Sequence, residues 1–187
     1  MIRPYRPGDL DAVYDICART SGADNPTRLI GDLWAAPYAV AEPEHAYVID
    51  DGSGQAVGYI VGTSHTPAFV RWWKATWLPE VESRHSAGAT PDEFSLMLLR
   101  NPERMLVPEL DGYPAHLHMD LLPQWQRKGL GRELMTTFLN GLRAAGVPGV
   151  HLGAATDNEG AQAFYLRLGF EHVPTPYPGV RYMCLKL

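Results

Sequence analysis

The apolar positions of this chain fall into two periods, 3.6 and 2, and together they sort it into helices and strands. Leu10, Val13, Tyr14 and Cys17 recur at helical spacing, and Gly22 ends the run. Pro7, Asp9 and Asp11 stand in its first turn, where acidic side chains suit the helix dipole. A short strand is predicted over residues 1–5 and a second helix over 26–36. Residues 45–50 and 55–63 read as strands joined by Asp51-Gly52-Ser53-Gly54, a hairpin signal. Residues 115–121 alternate strictly. His116, His118 and Asp120 take one face, and Leu117, Met119 and Leu121 the other. Leu130, Leu134, Met135, Phe138, Leu139 and Leu142 mark one face of a helix that Gly146 closes. Residues 150–154 form another strand and 156–168 another helix, with Thr156 and Glu159 spaced as a capping box. Strands after Gly169-Phe170 and over 179–187 complete the chain.

Residues 66–112 break this rhythm. They hold Trp72, Trp73 and Trp77, three of the five tryptophans, and Thr90-Pro91-Asp92-Glu93 reads as a capping box with proline at the first helical position. The block is too short for a core of its own, so it is read as a helical insertion within a single domain of residues 1–187. The order β-α-α-β-β-(insertion)-β-α-β-α-β-β is that of a mixed α/β domain.

Composition narrows the function. At 187 residues, 45% hydrophobic and 20% charged, the chain reads as an ordinary globular domain. A net charge of −5 argues against nucleic-acid binding as its main business, so any basic site must be local. Cys17 and Cys184 lie far apart and form no zinc spacing, which predicts reduced thiols and a cytoplasmic setting. The start, MIRPYRPGDLD, has no apolar core of a signal peptide, and no apolar run approaches the roughly 20 residues that span a bilayer.

The stretch Gln126-Arg127-Lys128-Gly129-Leu130-Gly131 falls where a strand gives way to a helix. Backbone N–H groups there have no intrahelical partner and point out at the positive end of the dipole. Glycines let a ligand approach closely, and Arg127, Lys128 and Arg132 add local positive charge. A tight turn is one reading and a phosphate cradle the other. The pattern is neither a P-loop nor a dinucleotide-binding fingerprint.

Pro123-x-x-Gln126-x-x-Gly129-x-Gly131 resembles motif A of the GNAT acetyltransferases. Asn158-x-x-Ala161-x-x-Phe164-Tyr165-x-x-x-Gly169-Phe170 resembles motif B, in the right order and on the matching elements. Leu29-Ile30-Gly31-Asp32, Gly58-Tyr59-Ile60-Val61-Gly62-Thr63, Trp77-Leu78-Pro79 and Met119-Asp120 are similar to the acetyltransferase-like domain of animal O-GlcNAcases, as is the insertion itself. The resemblance implies a GNAT fold: a mixed sheet of about seven strands, splayed between strands 4 and 5, flanked by helices, with a helical insertion between strands 3 and 4. It implies acetyl-CoA as cosubstrate, with Gln126, Arg127, Lys128, Gly129, Leu130, Gly131 and Arg132 around the pyrophosphate. Leu121 and Leu122 would bind the pantetheine arm, with Asn158, Ala161 and Tyr165 on its other side.

The implied reaction is direct acetyl transfer to a primary amine. Tyr165 is the expected proton donor to the leaving thiolate, the alternative being an aromatic packed beside Phe164. His116, His118 and Asp120 are candidates for removing the amine's proton, histidine being the side chain that ordinarily titrates near neutrality. His-x-His on this strand resembles the arylalkylamine N-acetyltransferases. A buried polar ladder is an equal reading of the three, and a metal site a lesser one, so no metal is expected. Trp73 and Trp77, at i and i+4, are read as packing residues rather than a substrate pocket. The partners expected are acetyl-CoA and an amine, with no nucleic acid and no membrane, and a homodimer is open. The other class of function is a binding module that holds acetyl-CoA or a partner without turnover.

Overall fold

The computed structural model describes residues 1–23, 27–85 and 93–187. Seven strands form one sheet in the order β1-β2-β3-β4-β5-β7-β6. They are β1 (Ile2–Pro4), β2 (Ala46–Asp50), β3 (Ala56–Thr63), β4 (Ala115–Leu121), β5 (Gly149–Ala155), β6 (Glu171–Val173) and β7 (Val180–Lys186). All neighbours are antiparallel except β4 and β5. That parallel pair is joined only at Ala115↔Val150 and His116↔His151 and then separates. The expected splay lies there.

Helices α1 (Leu10–Thr20), α2 (Arg28–Trp34) and α3 (Ala36–Ala41) cover the face of β4 that carries its histidines. The predicted helix over 26–36 is therefore two. Its start at Pro26 lies outside the described residues. Pro37 has no N–H to give to the carbonyl four residues back, and the chain breaks at Ala35. Helix α7 (Leu130–Ala144) covers the opposite face, burying the apolar stripe of Leu134, Met135, Phe138, Leu139 and Leu142. Helix α8 (Glu159–Arg167) begins later than predicted. Its cap is Asn158, whose side chain accepts from Ala161 N–H at 3.0 Å. Thr156 takes no part in a capping box, and its carbonyl accepts instead from the Gln162 amide.

The insertion is helical as expected, with α4 (Thr66–Trp72), a π-helical turn (Trp73–Trp77), α5 (Leu78–His85) and α6 (Glu93–Arg100). Its capping-box residues Thr90, Pro91 and Asp92 lie outside the described residues. Trp73 and Trp77 are buried, and their indole N–H groups donate to Leu99 O and Asp32 O. The π-turn brings Trp72, five residues before Trp77, into a stack with it at 5.9 Å. These tryptophans share one core with the sheet, so packing is their role. Asp32 is fully buried, bonded to the Tyr14 hydroxyl at 2.5 Å and paired with Arg84 of α5 at 3.1 Å. It ties the insertion to α1 and α2. Gly31 beside it leaves room for the Tyr14 ring, which a Cβ would strike at 2.3 Å.

Gly62 in β3 is a second place without room for a side chain. A Cβ there would meet Phe138 Cζ at 2.5 Å and the His116 carbonyl at 2.6 Å. Gly62→Ala is expected to destabilise the fold by about 1–3 kcal/mol through overpacking. Urea unfolding reads this as a lower midpoint at unchanged slope, and an unchanged midpoint would contradict the packing described. No helix among the described residues is long and apolar enough to cross a membrane.

Candidate active site

Where β4 leaves β5, its last residues have one free edge. Leu122 N–H donates to Val57 O at 3.1 Å, and its carbonyl accepts from Trp125 N–H at 2.8 Å. Both backbone groups of Leu122 are therefore used within the protein. Strand alternation turns the backbone of Leu121 the other way, toward the splay. Its carbonyl takes the Gln126 side-chain amide at 2.8 Å. Gln126 thus braces the loop against the strand end.

The loop then turns sharply into α7. Arg127 has φ 59°, the one non-glycine residue with positive φ among those described, and Gly129 has φ 83° as the residue before the helix. Such strain is tolerated where surrounding structure holds it, often at ligand clamps. Among the described residues, no acceptor faces the consecutive N–H groups of Arg127, Lys128, Gly129, Leu130 and Gly131; pairing resumes at Arg132 N–H, which donates to Gly129 O. Arg127, Lys128 and Arg132 have no acidic partner there either. A row of open donors under unpaired cations can hold a polyanion.

On the inner face of the sheet, β3 sets its side chains opposite those of β4, with Tyr59 facing Asp120 and Val61 facing His118. The Tyr59 hydroxyl lies 2.7 Å from Asp120 Oδ2 and 3.0 Å from His118 Nδ1. A hydroxyl has one proton and an ionised carboxylate only accepts. Tyr59 therefore donates to Asp120 and accepts from His118 Nδ1–H. This assigns the free lone pair of His118 to Nε2. Asp120 itself is 3.7 Å from Nδ1, so it orients His118 through Tyr59. Burial, then the charge of Asp120, holds the Tyr59 pKa well above its ordinary value, and the phenol keeps its proton. Sequence reading missed Tyr59. Its position opposite Asp120 follows only from the strand register.

His116 is set differently, and the trio does not act as one group. It is buried, with Nδ1 2.6 Å from the Thr66 hydroxyl and Nε2 2.9 Å from the Tyr38 hydroxyl. Thr66 spends its proton on Pro114 O at 2.8 Å, so it accepts from His116 Nδ1–H, and Nε2 accepts from Tyr38. Burial, with His151 and Arg104 nearby, holds the His116 pKa well below the usual imidazole range. Both nitrogens are occupied and the ring stays neutral, which fits a structural ladder.

Tyr165 is 8% exposed and packs edge-on against Phe164 and Phe170. Burial, with Asp120 as a second cause, raises its pKa far above the ordinary tyrosine value. Its hydroxyl has no hydrogen-bond partner among the described residues. It is a protonated phenol with a free donor, within electrostatic reach of Asp120 across the splay.

A cavity of about 320 Å³ opens in the splay itself. Its wall includes His118 and His116 from β4, Tyr182 from β7, and Trp34, Tyr38 and Arg104 from the helical side. The insertion contributes to it through Arg104 and Met105. The glutamate–histidine grouping of Glu42, Glu44 and His45 lies elsewhere, and His118 and Asp120 gather no third metal-ligating side chain among the described residues.

The chain is similar over 180 residues to the protein O-GlcNAcases of Rattus norvegicus and Mus musculus, at 27% identity. The match covers 90% of this chain and 20% of those proteins, so the chain spans about a fifth of their length. The crystal structure of SsHAT superposes with a TM-score of 0.92 at 48% identity, covering 100% of this chain and 97% of that one. At 17% identity and a TM-score of 0.60, the fold also matches yncA of Salmonella typhimurium, solved with its cofactor acetyl-CoA, covering 100% and 93% of the two chains. The model of the acetyltransferase (GNAT) family matches residues 10–170, which include the splayed strands β4 and β5 and the glycine loop, and the chain belongs to that family.

Proposed function

We propose that the chain transfers an acetyl group from acetyl-CoA directly to a primary amine. The observation that carries this reading is the row of open N–H groups from Arg127 to Gly131, set under unpaired cations at the end of a strand with a free edge. That arrangement fits a pyrophosphate followed by an amide-bearing arm, and the Salmonella typhimurium protein of the same fold was solved with that cofactor. Arg127–Arg132 would bind the pyrophosphate. Leu121 would offer its free-edge N–H to the pantetheine, since both groups of Leu122 are engaged. Asn158 and Ala161 would flank the arm from α8. Two buried thiols, both with pKa values raised by burial to about 12, suit the reducing setting of a cytoplasm.

Acetyl-CoA supplies an activated acyl carbon and a thiolate leaving group. The residues around it would manage protons. An ammonium cannot attack, so one proton must leave the amine first. His118 Nε2 is free, lines the cavity, and is backed by Tyr59 and Asp120, which stabilise the imidazolium that forms. As the new C–N bond forms and the C–S bond breaks, Tyr165 would give its proton to the departing sulfur and regain one from the acylated nitrogen, which sheds its second proton, while His118 passes the first to solvent. Thiol release from acetyl-CoA, followed with a thiol-reactive dye across a panel of primary amines, tests the reading. Acceptor-dependent release is expected. Saturable acetyl-CoA binding with no release for any amine would overturn it in favour of a binding module.

A further inference from the structure

Among the described residues, Arg104 is the one permanently charged side chain that lines the cavity. Arg104 stands in the 3-10 turn Pro102–Met105 of the insertion, and its side chain lines the cavity wall. Its Nε donates to Leu98 O at 3.4 Å, and its guanidinium carbon lies 5.0 Å from the centre of the Trp34 ring. Among the described residues no carboxylate pairs with it, its terminal nitrogens have no partner, and no acidic side chain lines the cavity. Other shielded arginines of this acidic chain are paired: Arg3 with Asp9 and Asp50, Arg84 with Asp32. A guanidinium withdrawn from water without a counter-ion is costly. Its planar fork matches a carboxylate.

We infer that the acceptor is an amine that also carries a carboxylate, and that Arg104 binds that carboxylate while His118 serves the amine. Arg104 and His118 line the same cavity, 5.0 Å and 6.1 Å from the centre of the Trp34 ring that also lines it, so one small molecule there can meet both. Met105, Leu152, Val180 and Tyr182 supply an apolar wall for the rest of it. A space of about 320 Å³ holds an amino acid or the end of a short peptide. A polyamine or a lysine-rich segment would set further positive charge against Arg104. The inference rests on the cavity being the acceptor site of the proposed reaction.

The test uses matched probes: L-phenylalanine against phenethylamine, and L-leucine against 3-methylbutylamine. Each is titrated by calorimetry into the protein saturated with CoA, where no turnover intervenes. The carboxylate-bearing member is expected to bind at least about 10-fold tighter, as a charge-assisted pair would give. Arg104→Met should abolish that advantage, and Arg104→Lys should keep part of it. Equal affinity within the pairs, no binding of either amino acid, or an advantage that survives Arg104→Met would overturn the inference. Thermal melts report whether each variant folds, and the wild-type pairs decide the matter if Arg104→Met does not. Thiol release with the same probes separates the two readings. Release with the simple amines alone would sustain the acetyl transfer and overturn the carboxylate. Arg104-dependent carboxylate binding with no release for any amine would do the reverse.

Discussion

Gly129→Glu is expected to weaken acetyl-CoA binding by about 100-fold or more while leaving the domain folded. Gly129 holds φ 83° just before α7, a conformation that costs other residues roughly 1–2 kcal/mol. Nothing lies within 4 Å of the position a Cβ would take, so the side chain fits and the strain is local. The glutamate would place a negative charge among the N–H groups and cations proposed to bind the pyrophosphate. Losing one or two charge-assisted hydrogen bonds, at about 1.5–3 kcal/mol each, corresponds to a factor of about 10 to several thousand. Gly129→Ala carries the strain without the charge and should lose far less. Calorimetry on the three proteins checks this, and equal binding by Gly129→Glu and the wild type would remove the loop from the cofactor site.

Tyr165→Phe is expected to lower kcat by about 100-fold with acetyl-CoA affinity unchanged, the size of effect general acids supply. The ring packs between Phe164 and Phe170 and would stay in place, so only the hydroxyl is lost. A fall in kcat at constant dissociation constant is the signature of an interaction made in the transition state. Wild-type kcat in the variant would return Tyr165 to the role of a packing aromatic.

Much of this architecture was legible in the residues. Strict alternation set the bounds of β4 at Ala115–Leu121, and the apolar stripe from Leu130 to Leu142 placed α7 with its stop at Gly146. Motifs A and B placed the splay. What escaped has physical reasons. Every residue of β3 is buried, so no alternation singles out Tyr59, and its bond to His118 and Asp120 depends on a register that the sequence does not print. Arg104 reaches the cavity from a short 3-10 turn, which has no periodicity to read. His116 and His118 look alike on one strand face, yet Tyr38 and Thr66 engage both nitrogens of the first, while Tyr59 meets the second at Nδ1 and no described residue bonds its Nε2. Asn158 was read only as a ligand contact, although Asn is a strong N-cap residue and takes the Ala161 N–H.

The central claim is that the loop from Gln126 to Arg132 holds acetyl-CoA. Titrating the wild-type protein with acetyl-CoA in a calorimeter tests it directly. The account predicts saturable binding with a dissociation constant on the order of micromolar, weakened by rising salt because the contact is largely ionic. A folded protein that shows no heat of binding at millimolar acetyl-CoA would contradict it.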